Sequence, residues 1–379
     1  MVFVAPKLST KQAIEATAGL LLAARCKRKR FLCVMRFLMS AHCYRLRGPP
    51  PRIDTRNGFD NAMDDATART KFNFTIPQLR ELAAKLHLPM PCIITPERDT
   101  VPTLEALAML CRRLKEPSTL FTVANEFGRS PAAYSRICKH TVHELFTRHK
   151  ERLYFNRELV VRRIEGYCSA VRAKGAPLNC CWAFIDGTKQ YVCRPSARDN
   201  PASAYENLQR ALYNGHPRRH CFNWQGVTTP DGIIVSMYGP VEGRRHDSTM
   251  LSMSCLLDEL ASDEVFQGKV MYGDPAYGCS DFMCCPFPDT SGSAAKAAFN
   301  ARMSSVREAV EWGFGRVKTQ WSFLNWDKKL RSRQAAVGKL FLVAVLLTNA
   351  HTCMQPAGNQ ISMYFGLKPP SLDQYLGLE

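Results

Sequence analysis

Three acids in this 379-residue chain sit where a folded core would present them. In the segment around Trp182, Phe184 and Asp186, alternation puts all three side chains on one face of a strand, so Asp186 is expected at the strand's end and the core's edge. Val270, Tyr272 and Asp274 repeat that arrangement on another strand. Carboxylates ending two core strands are costly unless a cation neutralises them. Either alone also reads as a turn residue, because Asp186-Gly187 and Asp274-Pro275 are turn dipeptides. The third acid, Glu311, lies in a stretch where Met303, Val306, Val310, Phe314, Val317, Trp321 and Leu324 recur at spacings of three and four. Arg307, Glu311 and Lys318 line up beside that stripe, since offsets of four and seven return to one helix face. A helix packed through the stripe would carry Glu311 to its margin, near the two strand ends. Such a set suits hard divalent cations and phosphodiester chemistry.

The elements needed to position these acids follow from patterning. Residues 10–47 read as helical and basic, with Lys27, Arg28, Lys29 and Arg30 as a candidate phosphate-binding or nuclear-targeting tract, or a solvated face. Gly48-Pro-Pro-Pro-Arg52 breaks the helix, and 53–66 reads as polar linker. Helices are expected over Phe74–His87 and from Thr103 to about His149. Within the latter, Phe121–Phe127, a left-handed turn at Gly128, and Ser130-Pro131 opening a second helix make a helix-turn-helix pattern over about 120–142. Tyr134 and Ile137 should face inward; Arg136, Lys139 and His140 should face out, as candidate DNA contacts. After Asn156 the texture changes. Cys181–Pro195 reads as two strands, His220–Pro240 as a hairpin turning at Pro230-Asp231-Gly232, Ser248–Ala261 as a helix, and Gly268–Asp274 as a strand. Helices from Ala294 to about Thr352 complete a mixed α/β layer.

Apolar residues make up 46% of the chain, enough for a packed core throughout most of it, and the formal charge of +18 points to a polyanionic partner, nucleic acid first. The first residues lack the cationic start and apolar run of a secretory signal, and Ala16–Ala24 is about half a membrane span, so no membrane partner is expected. Sixteen cysteines without paired C-x2-C spacing read mostly as small buried residues of a reduced, intracellular protein.

An ordered set of short motifs then carries a resemblance. Phe184-Ile-Asp-Gly-Thr188 is followed by Tyr213-Asn-Gly-His216 with His220, Pro230-Asp-Gly232, Gly239-Pro-Val-Glu-Gly243 and His246-Asp-Ser248. Gly273-Asp-Pro-Ala-Tyr277 and Arg307-x3-Glu311-x2-Phe314-Gly315-x2-Lys318 close the series. From about Phe74 onward the chain resembles PIF/Harbinger-type transposases and the Harbinger transposase-derived nucleases. The last motif also looks like the Y-R-E-K helix of related bacterial transposases, except that Ser304 stands at the tyrosine position.

The resemblance implies an RNase H-like α/β domain preceded by an all-α domain. The expected division is a basic helix and linker at 1–66, a helix-turn-helix domain at 67–155, the nuclease domain at 156–352 and a tail at 353–379. It makes Asp186, Asp274 and Glu311 the three catalytic acids, the last two separated by 37 residues. Asp186 would bridge two divalent ions, Asp274 bind one and Glu311 the other, with magnesium expected and manganese the alternative. Arg307 and Lys318 would contact phosphates or orient Glu311. Asp247 matches a further acid of the family pattern, read here as a helix N-cap in preference to an auxiliary site residue. DNA cleavage followed by strand transfer, a nuclear setting, a Myb-like helper protein and self-association are further implications. A non-catalytic DNA-binding protein retaining the fold is the competing expectation.

Overall fold

The computed structural model describes residues 7–23, 27–44, 51–195, 207–332 and 335–379; the side chains of residues 308–311, Glu311 among them, lie outside the described set. The chain divides into two compact units, Met1–Arg52 and Ile53–Glu379. The first holds α1 (Thr10–Ala23) and α2 (Arg28–Ser40), the latter without a buried residue. Lys27 to Arg30 open α2 and are all exposed.

The second unit begins with a helical layer. Residues 53–63 do not behave as linker, because Ile53, Phe59 and Met63 pack on the core. Helices α3 (Asp65–Phe72) and α4 (Ile76–Lys85) follow, the latter with a capping box between Thr75 and Gln78. A small hairpin of β1 (Cys92–Ile94) and β2 (Thr100–Pro102) leads to α5 (Thr103–Lys115), whose Ala106 to Cys111 run is buried. Then come α6 (Leu120–Glu126) and α7 (Pro131–Tyr154), joined by Gly128 at φ +60° and capped by Ser130, whose hydroxyl accepts from the Ala133 amide. At 24 residues α7 is far longer than a docking helix needs, and Tyr134, Ile137, Val142, Leu145 and Leu153 bury one face along its length.

Helix α8 (Arg157–Ala173) delivers the chain to a mixed sheet. Its strands are β3 (Cys181–Tyr191), β4 (Tyr213–Asn214, after the short α9 at Leu208–Leu212), β5 (Arg219–Thr228), β6 (Ile234–Glu242), β7 (Val270–Tyr272) and β8 (Met283–Cys284). The main order is β6–β5–β3–β7–β8: an antiparallel meander continued by two strands parallel to β3, which is the RNase H-like arrangement. Cys181–Tyr191 is one continuous strand where the sequence suggests two. Every residue from Phe184 to Tyr191 pairs with β5, so Asp186-Gly187 is not a turn. The segment Ser248–Ala261 is broken into α10 (Asp247–Ser254) and α11 (Leu256–Ala261) at Cys255, which has φ +53°.

Helix α12 (Ala294–Gln320) crosses the sheet, burying Met303, Val306, Phe314 and Val317. Helix α13 (Val337–Met354) is mostly apolar, and its Phe341–Ala350 stretch is wholly buried in the core. The last residues are folded too: α14 (Gln360–Phe365) and α15 (Leu372–Leu376) bury Ile361, Phe365, Tyr375 and Leu376. One apolar cluster runs from Ala68 to Leu376, so helical layer and sheet share a core.

Candidate active site

Strand β3 runs parallel to β7 only as far as the Phe184–Tyr272 pair. Two residues further along each chain, on the same pleat faces, stand Asp186 and Asp274. Asp186 is therefore in mid-strand, still paired to Gly226 of β5, at the point where β3 loses its other neighbour. Asp274 leaves β7 and opens a 3-10 turn, its carboxylate accepting from the Ala276 amide at 2.9 Å. Both acids are half-buried.

Helix α12 lies across this point, and its register is pinned by three contacts. Arg307 Nη2 donates to Asp186 Oδ1 at 3.3 Å. Phe314 fills the space a side chain at Gly226 would need, its Cζ lying 2.6 Å from an ideal Cβ there. Lys318 Nζ donates to Thr188 Oγ1 at 2.7 Å and to the Lys189 carbonyl at 3.0 Å. The backbone of Glu311 falls in the turn between Arg307, which touches Asp186, and Phe314, which covers the residue paired to it. Lys318 is thus spent on holding β3, and burial pushes its ammonium pKa down.

Asp247 does not cap α10. The N-cap is His246, without a side-chain cap bond, and Asp247 is the first helical residue. Its Oδ1 lies against Gly187, 2.9 Å from where a Cβ would be. Burial first, then the neighbouring Asp274 charge, holds its carboxyl above the usual aspartate range. Tyr277, on the 3-10 turn that Asp274 begins, is 7% exposed and lies within electrostatic reach of Asp186, Asp247, Asp274 and Arg307. Burial pushes its hydroxyl pKa well above the ordinary tyrosine value, so it stays protonated. Its hydroxyl, that of Tyr272 and the Nε of Arg307 are all buried without a hydrogen-bond partner among the described residues. Tyr272 is similarly pushed up to about 12 by burial.

Carboxylate oxygens are the donors a hard cation takes, and Arg307 partly offsets the charge of Asp186 here. Among the described residues no three acid, histidine or cysteine side chains converge as a direct ligand set. A complete set would need Glu311 or water.

The α7 residues read as DNA contacts fare differently. Arg136 is committed to Asp99 on the β1–β2 loop, with Nε–Oδ2 at 2.6 Å and Nη2–Oδ1 at 2.8 Å. His140 is partly buried, 4.0 Å from Glu144. Lys139 is exposed. The α6–α7 turn is also covered: the Asn57 carbonyl lies 2.1 Å from where a Cβ on Gly128 would be, the Asp54 amide donates to Asn125 Oδ1, and Asn57 Nδ2 donates to the Asn125 carbonyl.

In the sequence Tyr277 and Gly187 stand out only as members of the Gly273–Tyr277 and Phe184–Thr188 motifs; spacing cannot by itself reveal an unpaired hydroxyl or a close approach to Asp247.

Residues 185–349 match the family model described as DDE superfamily endonuclease. No curated protein and no solved structure matches the chain significantly.

Proposed function

We propose that residues 185–349, which match the DDE superfamily endonuclease model, form such a domain of the Harbinger type, and that the chain cuts DNA phosphodiester bonds using divalent cations held by Asp186, Asp274 and Glu311. The observation that carries this reading is the pair of half-buried aspartates just past the last β3–β7 pair, under a helix locked in register by Arg307 and Lys318. When bound, the cation polarises the phosphate and lowers the pKa of an attacking water.

The chain's own groups divide the remaining work. Asp186 offers hard oxygen donors from within β3 and Asp274 from the capped turn just beyond β7, which limits the reorganisation required during reaction. Arg307 spends one long hydrogen bond on Asp186 and makes no other among the described residues, so its planar fork retains donors for a phosphate oxygen. Lys318 fixes the helix that bears Glu311 and is a positioning residue rather than a phosphate contact. The net charge of +18, with the exposed Lys27–Arg30 tract, supplies sequence-independent attraction to the DNA backbone. The same reading extends to strand transfer, a nuclear setting, self-association and recruitment through a Myb-like helper protein.

The test is nicking of supercoiled plasmid by the full chain, with and without magnesium, comparing wild type with Asp186→Asn, Asp274→Asn and Glu311→Gln. Metal-dependent nicking that all three variants abolish is expected. Nicking at the wild-type rate by a folded Asp274→Asn protein would sink the assignment.

A further inference from the structure

The Asp247 carboxylate and the Tyr277 hydroxyl are unexplained by the fold, although the Tyr277 ring packs in the core. The Asp247 carboxylate is half-buried, caps nothing, and makes no hydrogen bond or salt bridge among the described residues, yet it is pressed against the backbone next to Asp186 and within range of the Asp274 charge. A second, independent sign lies beside it. The Tyr277 hydroxyl is buried, unpartnered among the described residues and within electrostatic reach of all three aspartates. A carboxylate and a phenol abandoned together cost stability, and such costs persist where a ligand removes them.

Asp247 packs its Oδ1 against Gly187, and among the described residues it does not converge with Asp186 and Asp274 on one point. Magnesium-like ions dehydrate reluctantly and keep several waters, and those waters need acceptors and orienting groups. We propose that Asp247 and Tyr277 form the outer shell of the cation site, Asp247 accepting hydrogen bonds from ion-bound water and Tyr277 hydrogen-bonding the same hydration shell. This rests on the nuclease reading above. Gly187 is what allows it, because any larger residue would push Asp247 off the site. Both are positioning residues: they act on the ion's water and touch neither the ion nor DNA.

The reading has a signed consequence that a packing role lacks. In metal-free protein, Tyr277→Phe removes an unsatisfied buried donor and Asp247→Asn removes a charge beside Asp274, so neither should lower Tm, and Asp247→Asn should raise it. In manganese titrations of the full chain, followed by Tm shift and by the electron paramagnetic resonance signal of free manganese, both variants should bind about 10–100-fold more weakly, as outer-shell losses do. Asp274→Asn serves as the direct-ligand control. A metal-free Tm that falls with Tyr277→Phe, or manganese affinities within about twofold of wild type for both variants, would overturn the proposal while leaving the nuclease reading intact if Asp274→Asn still loses binding. If Asp274→Asn also binds manganese normally, the nuclease reading fails and this proposal falls with it.

Discussion

Substituting Gly226 by alanine should damage the site without touching an acid. Gly226 pairs with Asp186 across β3–β5, and Phe314 of α12 occupies the space above it. An alanine Cβ would lie 2.6 Å from Phe314 Cζ and 2.7 Å from Cε1, against 3.4 Å for the start of ordinary contact, an overlap of 0.8 Å at the closest atom. The ring cannot swing away freely, because Phe314 is 5% exposed and Met237 Cε stands 3.2 Å from the same point. The strain must therefore move α12, β5 or both. Overpacking of this kind costs about 1–3 kcal/mol, readable as a lower urea midpoint at unchanged slope. A displacement approaching 1 Å at a reacting centre can cost about 100-fold in rate, so magnesium-dependent nicking should fall far more than stability does. The second-site variant Gly226→Ala/Phe314→Leu relieves the overlap and should recover much of the activity. Gly226→Ala protein with wild-type stability and nicking, or a double variant worse than the single one on both counts, would refute the claim that this contact sets the helix against Asp186.

Other expectations concern the cations and one buried histidine. Lys318→Ala should destabilise by about 1–3 kcal/mol through the bonds lost at Thr188 and Lys189, and reduce nicking, while leaving the salt dependence of DNA binding unchanged; a flatter slope would mean that it contacts phosphate after all. Arg136→Ala should leave DNA affinity and sequence preference near wild type, because Asp99 already holds the Nε–Nη2 edge of the guanidinium, whereas neutralising Lys27–Arg30 should weaken binding to all sequences alike; altered preference in Arg136→Ala would restore it as a base reader. His149 is buried, and burial lowers its pKa from 6.5 to about 4, so between those values the unfolded chain binds the proton and the folded chain does not. Its contribution is fully present above pH 6.5 and is lost as pH falls towards 4, by up to about 3 kcal/mol, and a Tm against pH series in which His149→Leu keeps the wild-type slope would contradict this.

How far the sequence could be read depended on whether a feature was local. The stripe through Met303, Val306, Phe314 and Val317, the Ser130 cap and the Gly128 turn are set by spacing within a few residues, and each is found in the structure. Asp186 and Asp274 were legible as strand-associated acids, although alternation could not tell that β3 runs on to Tyr191 while its pairing to β7 stops at Phe184. Arg136 looked free because its partner, Asp99, lies 37 residues earlier on a hairpin too short to leave a periodic signal. Asp247 looked like a cap because aspartate before an apolar run usually is one; the helix instead begins one residue sooner, with His246 in the capping position. Asp231 shows the same limit. The Pro-Asp-Gly turn was legible, but not that its aspartate is wholly buried, receiving hydrogen bonds from Tyr167, Thr229 and Arg163.

The clasp between Asn125 and residues 54–57 also fixes where the folded body begins. An endoprotease would find exposed, irregular chain at 51–52 and, next to it, the Asp54 amide and the Asn57 side chain already engaged by Asn125, with Phe59 stacked on Phe127 just beyond. The limit fragment should therefore start near residue 53 rather than at 67, and recombinant versions trimmed to 67 would expose the aromatic face of Phe127 and invite self-association through it. For anyone dissecting the molecule, those fourteen residues are part of its smallest soluble form.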